Sequence, residues 1–418
     1  MRRARPLDQA GRNQVAVTTA SFVGYIGFTL VMPFLPIYIS QLGVHDVGEV
    51  AMWAGLSLGI TPALTAVLSP AWGRLADRFG RKLMLERALA SFVVVMTLMA
   101  FVRRPWQIFA LRAAQGLFAG YGGLTIAMAA ESAPRERMAS AIGMVQSAQR
   151  LGPAIGPVIG GILAGLVGLR RTFLVTAGVY ALALALAAVL YVEPRTRTVA
   201  EGEPGRQVGA RAILGLPNFI LLLAVIFGVQ YADRSLAPIL PLYVVELGVP
   251  TARTPLVSGL LFSVVACAAA VGHSFGGRLL RRVAAGRLIA GGSAVAAGSI
   301  LAFGLGRDVM WLGAAIGVFG LGVGVTMTAA FAAAGLVIPP GANATAFGFL
   351  NGAGLAALAV SPVVSGLIGA QSMAAVFALD VVIAALVVVA VRRWMVEADG
   401  RGAVATSFAA DGADGPGT

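Results

Sequence analysis

The sequence predicts an all-α membrane protein: twelve transmembrane helices in two pseudo-symmetric six-helix bundles. Three observations predict it. The chain is 58% hydrophobic and 12% charged, with a mean hydropathy of +0.86, whereas soluble domains carry about a quarter charged residues. Apolar blocks recur along its length, many reaching the roughly 20 residues that a helix needs to cross about 30 Å of hydrocarbon. The second half also repeats the first. Since lipid offers no partner for backbone N–H and C=O groups, such blocks must be helical.

Taken in order, the blocks give twelve spans near residues 14–40, 50–72, 83–102, 106–130, 138–166, 172–192, 217–245, 255–277, 287–306, 309–336, 343–368 and 372–392. They divide the chain into an N-terminal tail (1–13), a first bundle (14–192), a linker (193–215), a second bundle (216–393) and a tail (394–418). The linker is rich in Pro, Gly and charge, as a solvated connection is. The last tail has no apolar period and is expected to be disordered.

The net charge of +13 is not a nucleic-acid signal, because the basic residues gather in alternate loops. With the N-terminus inside, 22 of the 31 Lys and Arg fall on the inner side, six in outer loops, and three (Arg112, Arg150 and Arg234) within spans. That bias is the positive-inside pattern. It places both termini in the cytoplasm and the chain in the inner membrane, with an uncleaved first span and lipid as its surroundings. Cys267 is the single cysteine and His45 and His273 are the only histidines, so metal clusters have no ligand set. No phosphate-binding loop of the Walker kind is present, and no enzymatic constellation is visible.

The internal repeat is specific. VMPFLPIYISQLGV (31–44) returns as LAPILPLYVVELGV (236–249), displaced by 205 residues, and at the same displacement GPVIGG (156–161) meets SPVVSG (361–366). Duplicated six-span units with a substrate path between them suit alternating access by rocking of two rigid halves.

Three motifs carry a family resemblance. GRLADRFGRKLML (73–85) has Gly73, Asp77, Arg78, Gly80, Arg81 and Lys82 at the positions of the signature loop of the major facilitator superfamily. Its glycines suit a tight turn and close approach, and Asp77 suits pairing with arginines or a helix N-terminus. In the second copy, GRLLRRVAAGRLI (277–289), Arg281 replaces the acid. LRAAQG (111–116), with Arg112, Gln115 and Gly116, is similar to the family's buried arginine motif. Gly143, Gly152, Gly156, Pro157, Gly160 and Gly161 resemble the antiporter motif of proton-coupled drug exporters. The N-terminal half thus resembles bacterial multidrug-resistance efflux proteins of the twelve-spanning drug:proton antiporter group.

The resemblance implies a secondary transporter that exports small drug-like or amphipathic molecules. It would be driven by the proton gradient without a cofactor, with protons and the small-molecule substrate as partners and a single copy sufficient. An importer working by proton symport, a membrane-embedded enzyme and a non-transporting sensor are the rival readings. The resemblance also implies that the 73–82 loop latches the two halves.

The remaining candidates are intramembrane polar groups, which are functional candidates by default. Arg112 either tunes a proton site or an anion, or snorkels or joins a static hydrogen-bond network. Gln146 and Arg150 stand four apart on one helical face and are expected to line the cavity. Asp233 and Asp380 are the carboxylates deep within spans. Asp233, next to Arg234, is the favoured proton carrier, with a fixed charge pair as the alternative; adjacent helical residues need not pair. His273 is read as a hydrogen-bonded histidine at a helix end.

Overall fold

The computed structural model describes residues 8–31, 33–134, 137–193, 210–303, 305–306, 308–339 and 343–396. All regular structure among them is helical. The first half comprises α1 (Gln9–Leu30), α2 (Leu35–Ser40), α3 (Val47–Phe79), α4 (Arg81–Met99), α5 (Pro105–Phe118), α6 (Tyr121–Ser132), α7 (Met138–Val167) and α8 (Leu169–Leu190). After a short α9 (Ala210–Leu214) come α10 (Phe219–Glu246), α11 (Thr254–Leu279), α12 (Ala285–Phe303), α13 (Val309–Val337), α14 (Asn343–Gly369) and α15 (Met373–Trp394).

Nine of these helices are long and apolar enough to cross a membrane unaided, among the described residues. The other three of the twelve spans are α1 with α2, α4, and α5 with α6. Their apolar signal is diluted for identifiable reasons. The first span breaks between α1 and α2, and the fourth breaks at Ala119–Gly120, where Gly120 takes φ +106°. α4 carries Arg81, Lys82, Glu86 and Arg87 in its first two turns.

Several sequence boundaries shift. The expected N-terminal tail already turns helical at Gln9, where Asp8 caps α1 by accepting from the Gly11 N–H at 2.8 Å. The expected linker ends in α9, and its 194–209 stretch lies outside the described residues, as does the tail from 397. Residues 73–79 belong to α3 rather than to a loop. Only Gly80 makes the turn, at φ +93°, where an L side chain would be strained.

The repeat seen in the sequence is built from equivalent hydrogen bonds. Asn13 Oδ1 accepts from the Val192 N–H at 2.9 Å while its Nδ2 donates to the Val192 carbonyl at 2.8 Å, tying the start of α1 to the end of α8. Asn218, 205 positions on, ties α10 to the end of α15 through Val396 in the same two-bond manner, at 3.0 and 2.7 Å. Tyr38 donates to Met99 O at 2.7 Å and Tyr243 to Phe303 O at 2.9 Å. Gly43 and Gly248 hold positive φ at equivalent positions.

The halves meet along two helix pairs related by the same displacement. A Cβ at Gly259 of α11 would collide with the Pro157 carbonyl of α7, and one at Gly55 of α3 would collide with the Pro362 carbonyl of α14. The absent side chains therefore permit backbone-to-backbone approach. Among the described residues, the apolar core of the first half reaches buried residues of the second only through Ala237, Ile239, Leu242 and Val376. The core of the second half contains its own residues alone. Those four bridging residues lie where α10 ends and α15 begins, at the end of the bundle away from the chain termini. The other close glycine approaches between the halves, Gly48 to Ala370, Gly59 to Ala359, Gly161 to Pro255 and Gly366 to Ala51, lie between that end and the middle of the bundle. Among the described residues, the close contacts between the halves gather toward one end of the bundle.

Candidate functional site

The loop motif is bound to its own half. The Arg81 N–H donates to Glu193 Oε1 at 2.6 Å, and its guanidinium pairs with Glu131 of α6 at 2.8 Å. Lys82 donates to the Ala188 carbonyl of α8 at 2.7 Å and stands 3.8 Å from Glu86. The Arg78 guanidinium lies over the neighbouring Phe79 ring at 5.3 Å. Gly73 has open space around it. Asp77 sits in the last turn of α3, at a helix C-terminus rather than an N-terminus, and its side chain lies outside the described residues. Glu131 and Glu193, which complete this network, were not distinguished by the sequence motif.

Arg112 is fully buried, which removes the snorkelling reading. Its Nε donates to Ser57 O at 3.2 Å and Nη1 to Gln115 Oε1 at 2.8 Å, while the guanidinium lies 5.3 Å from the Phe28 ring centre. Nη2 has no acceptor. The positive charge is held by a carbonyl, an amide and a ring, with no carboxylate among its partners. Gly116 allows the approach that makes this possible, since a Cβ there would stand 2.6 Å from Thr61 O of α3.

The glycines of α7 divide by face. Gly152, Gly156 and Gly160 lie against α1, where Cβ atoms would strike Tyr25, Ile26, Thr29 or Leu30. Gly161 instead faces α11, 2.5 Å from the Pro255 carbonyl oxygen for an added Cβ. Pro157 offers its carbonyl to Gly259, and Gly143 is free. One motif thus serves two contacts: within the first half and across to the second. Gln146 is exposed, Gln149 donates to Gly122 O and Thr125 Oγ1 of α6 at 3.0 and 3.2 Å, and the Arg150 side chain lies outside the described residues.

The family model of the Major Facilitator Superfamily matches residues 17–357. The chain belongs to that superfamily. It is therefore an integral, multi-pass membrane transport protein. Among curated relatives it is 36% identical over 279 residues to "Multidrug resistance protein MdtG" of Serratia proteamaculans (strain 568), covering 66% of this chain and 68% of that one. To the protein of the same name from Enterobacter lignolyticus (strain SCF1) it is 35% identical over 273 residues, covering 65% of each. A solved bacterial homologue of the human lysosomal transporter Spinster, inward-facing and unoccupied, superposes with a TM-score of 0.78 at 17% identity. That match covers 94% of this chain and 98% of that one.

Within this major facilitator protein the two candidate carboxylates are separate. Asp233 Oδ2 lies 3.3 Å from Arg234 Nε, both side chains partly exposed, so the adjacent residues do pair. The contact is ionic and lacks hydrogen-bond geometry. Asp380, on α15, is fully buried; its Oδ2 lies 2.5 Å from Ser235 Oγ of α10, and its Oδ1 has no partner. Its hydroxyl partner was not anticipated, although Ser235 stands two positions after Asp233 in the same span. His273 Nδ1 is 2.9 Å from Thr328 Oγ1 on α13, a hydrogen-bonded histidine near a helix end as expected.

Proposed function

We propose that this protein exports small drug-like or amphipathic molecules across the inner membrane in exchange for protons, by alternating access, with both termini cytoplasmic. One observation carries the reading: the close contacts between the two bundles gather at the end away from the termini. With the termini inside, that is a carrier open to the cytoplasm, ready to take substrate for export. The solved neighbour in an inward-facing state and the relatives named for multidrug resistance support the same reading.

Proton coupling requires a carboxyl group that exists in both protonation states during the cycle. A buried carboxylate with no cation beside it is costly, and Asp380 is such a group. Ser235 Oγ lies 2.9 Å from Ala232 O as well as 2.5 Å from Asp380 Oδ2. A hydroxyl has one hydrogen. If it goes to the carbonyl, the Asp380 carboxyl supplies the other bond, an arrangement natural to a proton-loaded state. Asp233 already has Arg234 as counter-ion and is the second candidate. Arg112 holds an uncompensated positive charge in the other half, and being fully buried it would tune neighbouring groups rather than meet the substrate. The latch loop, bound within its own half here, would engage the second half when the terminal end closes.

Reconstituted protein tests this directly. In proteoliposomes loaded with a fluorescent amphipathic substrate, an imposed pH gradient drives substrate and protons in opposite directions. Co-directional movement would make the carrier a symporter. Absence of flux across a broad substrate panel would defeat the transport proposal for these compounds.

A further inference from the structure

Where α3, α4 and α6 meet, below the break in the fourth span, there is a cavity of about 200 Å³ whose wall includes Trp72, Arg81, Arg87, Gly120 and Gly123. It borders the latch loop at Gly73 and Arg81, but its interior and Arg87 have no role in the transport reading above. Its depth is informative. α3 turns charged just after Trp72, with Arg74, Asp77 and Arg78 in its last turns, so Trp72 and the cavity lie at the level where hydrocarbon gives way to headgroups, the usual place of interfacial tryptophan.

The cavity is positively poised and incompletely satisfied. The Arg87 guanidinium stacks 3.4 Å from the Trp72 ring centre, and its Nη2 donates to the Phe118 and Ala119 carbonyls at 3.1 and 3.5 Å, groups freed by the helix break. Its Nε and Nη1 are buried and have no acceptor, and Arg87 makes no ion pair among the described residues. Arg81, whose charge is already met by Glu131, borders the same wall. α6 begins beside it at Tyr121 without a side-chain cap, leaving the positive end of its dipole toward the cavity. Gly123 keeps the wall open, since a Cβ there would meet nothing within 4 Å.

Next to these charges the surface is apolar. Leu117, whose carbonyl accepts from Trp72 Nε1 at 2.9 Å, is 42% exposed. Phe118, with its ring 6.0 Å from the Arg87 guanidinium, and Leu83, one turn before Arg87, are exposed too. A soluble anion would use the charges and leave these side chains idle. An amphiphile with an anionic head uses both. We propose that the cavity is a site for the headgroup of an anionic phospholipid of the leaflet at the terminal end, its chains lying on Leu83, Leu117 and Phe118. The basic excess at that end favours such lipids.

The test uses the full-length, delipidated protein in neutral detergent. Thermal unfolding is followed with phosphatidylglycerol, phosphatidylcholine or inorganic phosphate, and retained lipid is counted by native mass spectrometry. Phosphatidylglycerol is expected to raise the Tm by several degrees, well above either control. Arg87→Gln and Gly123→Leu, which removes the charge and fills the space respectively, should each at least halve that rise and the bound phosphatidylglycerol. An equal effect of phosphatidylcholine, or of inorganic phosphate, would overturn the assignment. So would a full phosphatidylglycerol response in either variant. Should Arg87→Gln fail to fold, Gly123→Leu decides alone, because its Cβ has room and leucine is a better helix former than glycine.

Discussion

Asn13 and Asn218 close their half-bundles with the same pair of bonds, and Tyr38 and Tyr243 fasten their first spans to the same neighbours. The charges these scaffolds bury do not correspond. Among the described residues the first half buries a cation, Arg112, and the second an anion, Asp380. At a displacement of 205, the position of Arg112 is taken by Gly317 and that of Asp380 by Val175. Each has one terminal atom without a partner, Nη2 in one and Oδ1 in the other. Duplication therefore preserved the frame, and function was written onto each copy separately. An uncompensated buried charge costs stability, so its presence in a repeat whose sister copy manages without it points to use rather than to structure.

Removing the anion is expected to have the largest effect. Asp380→Asn keeps the shape and a hydrogen bond for Ser235 but cannot release a proton. We expect efflux driven by a pH gradient to fall at least tenfold, while gradient-free substrate exchange and the unfolding temperature stay near wild type. Proteoliposome flux with and without the gradient measures the split. Gradient-driven efflux at the wild-type rate would return the coupling role to Asp233, whose own Asn variant is the companion measurement.

Removing the cation separates function from stability more sharply. Arg112→Met fills similar volume without a charge. Arg112 has no ionic partner that its loss would leave unpaired, and removing an always-charged guanidinium from a buried site relieves its desolvation cost. Thermal unfolding should therefore be unchanged or raised, and turnover should fall severalfold. A loss of stability would mean that the Ser57 and Gln115 bonds more than repay the charge, and that Arg112 belongs to the frame after all.

How far the sequence carried this reading follows from the same division. The frame was legible because it is made of length, apolar run and repeat: span order, the 205-residue duplication and the turn at Gly80 could be read directly. The breaks between α1 and α2 and at 119–120 were hidden, since a kinked span has the same composition as a straight one. Gly73 looked like a turn residue because spacing alone cannot tell an open helical position from a bend. At the site, Arg112 and Asp380 stood out as charges among apolar neighbours. Their partners Ser57, Gln115 and Ser235 did not all stand out, because a buried serine is a common satisfied residue of helix interiors. Glu131 and Glu193 became visible only when folding brought them to Arg81 from more than 45 residues away.

The smallest expected effect tests the frame itself. Tyr38 and Tyr243 occupy equivalent positions and each donates to the carbonyl of an equivalent residue, but Tyr38 is fully buried whereas Tyr243 keeps some contact with the surface. Tyr→Phe at either site deletes one hydrogen bond, worth about 1 kcal/mol. At Tyr38 the Met99 carbonyl is left without this donor in a closed environment, so Tyr38→Phe should lower the unfolding temperature by more than Tyr243→Phe. At Tyr243 nearby water or headgroups can replace the lost donor. Equal shifts would mean that the two bonds are as alike energetically as they are geometrically, and that the halves differ only in the charges they carry. A larger loss at Tyr243 would reverse the order that burial dictates and would make the second half the more dependent on its fastening.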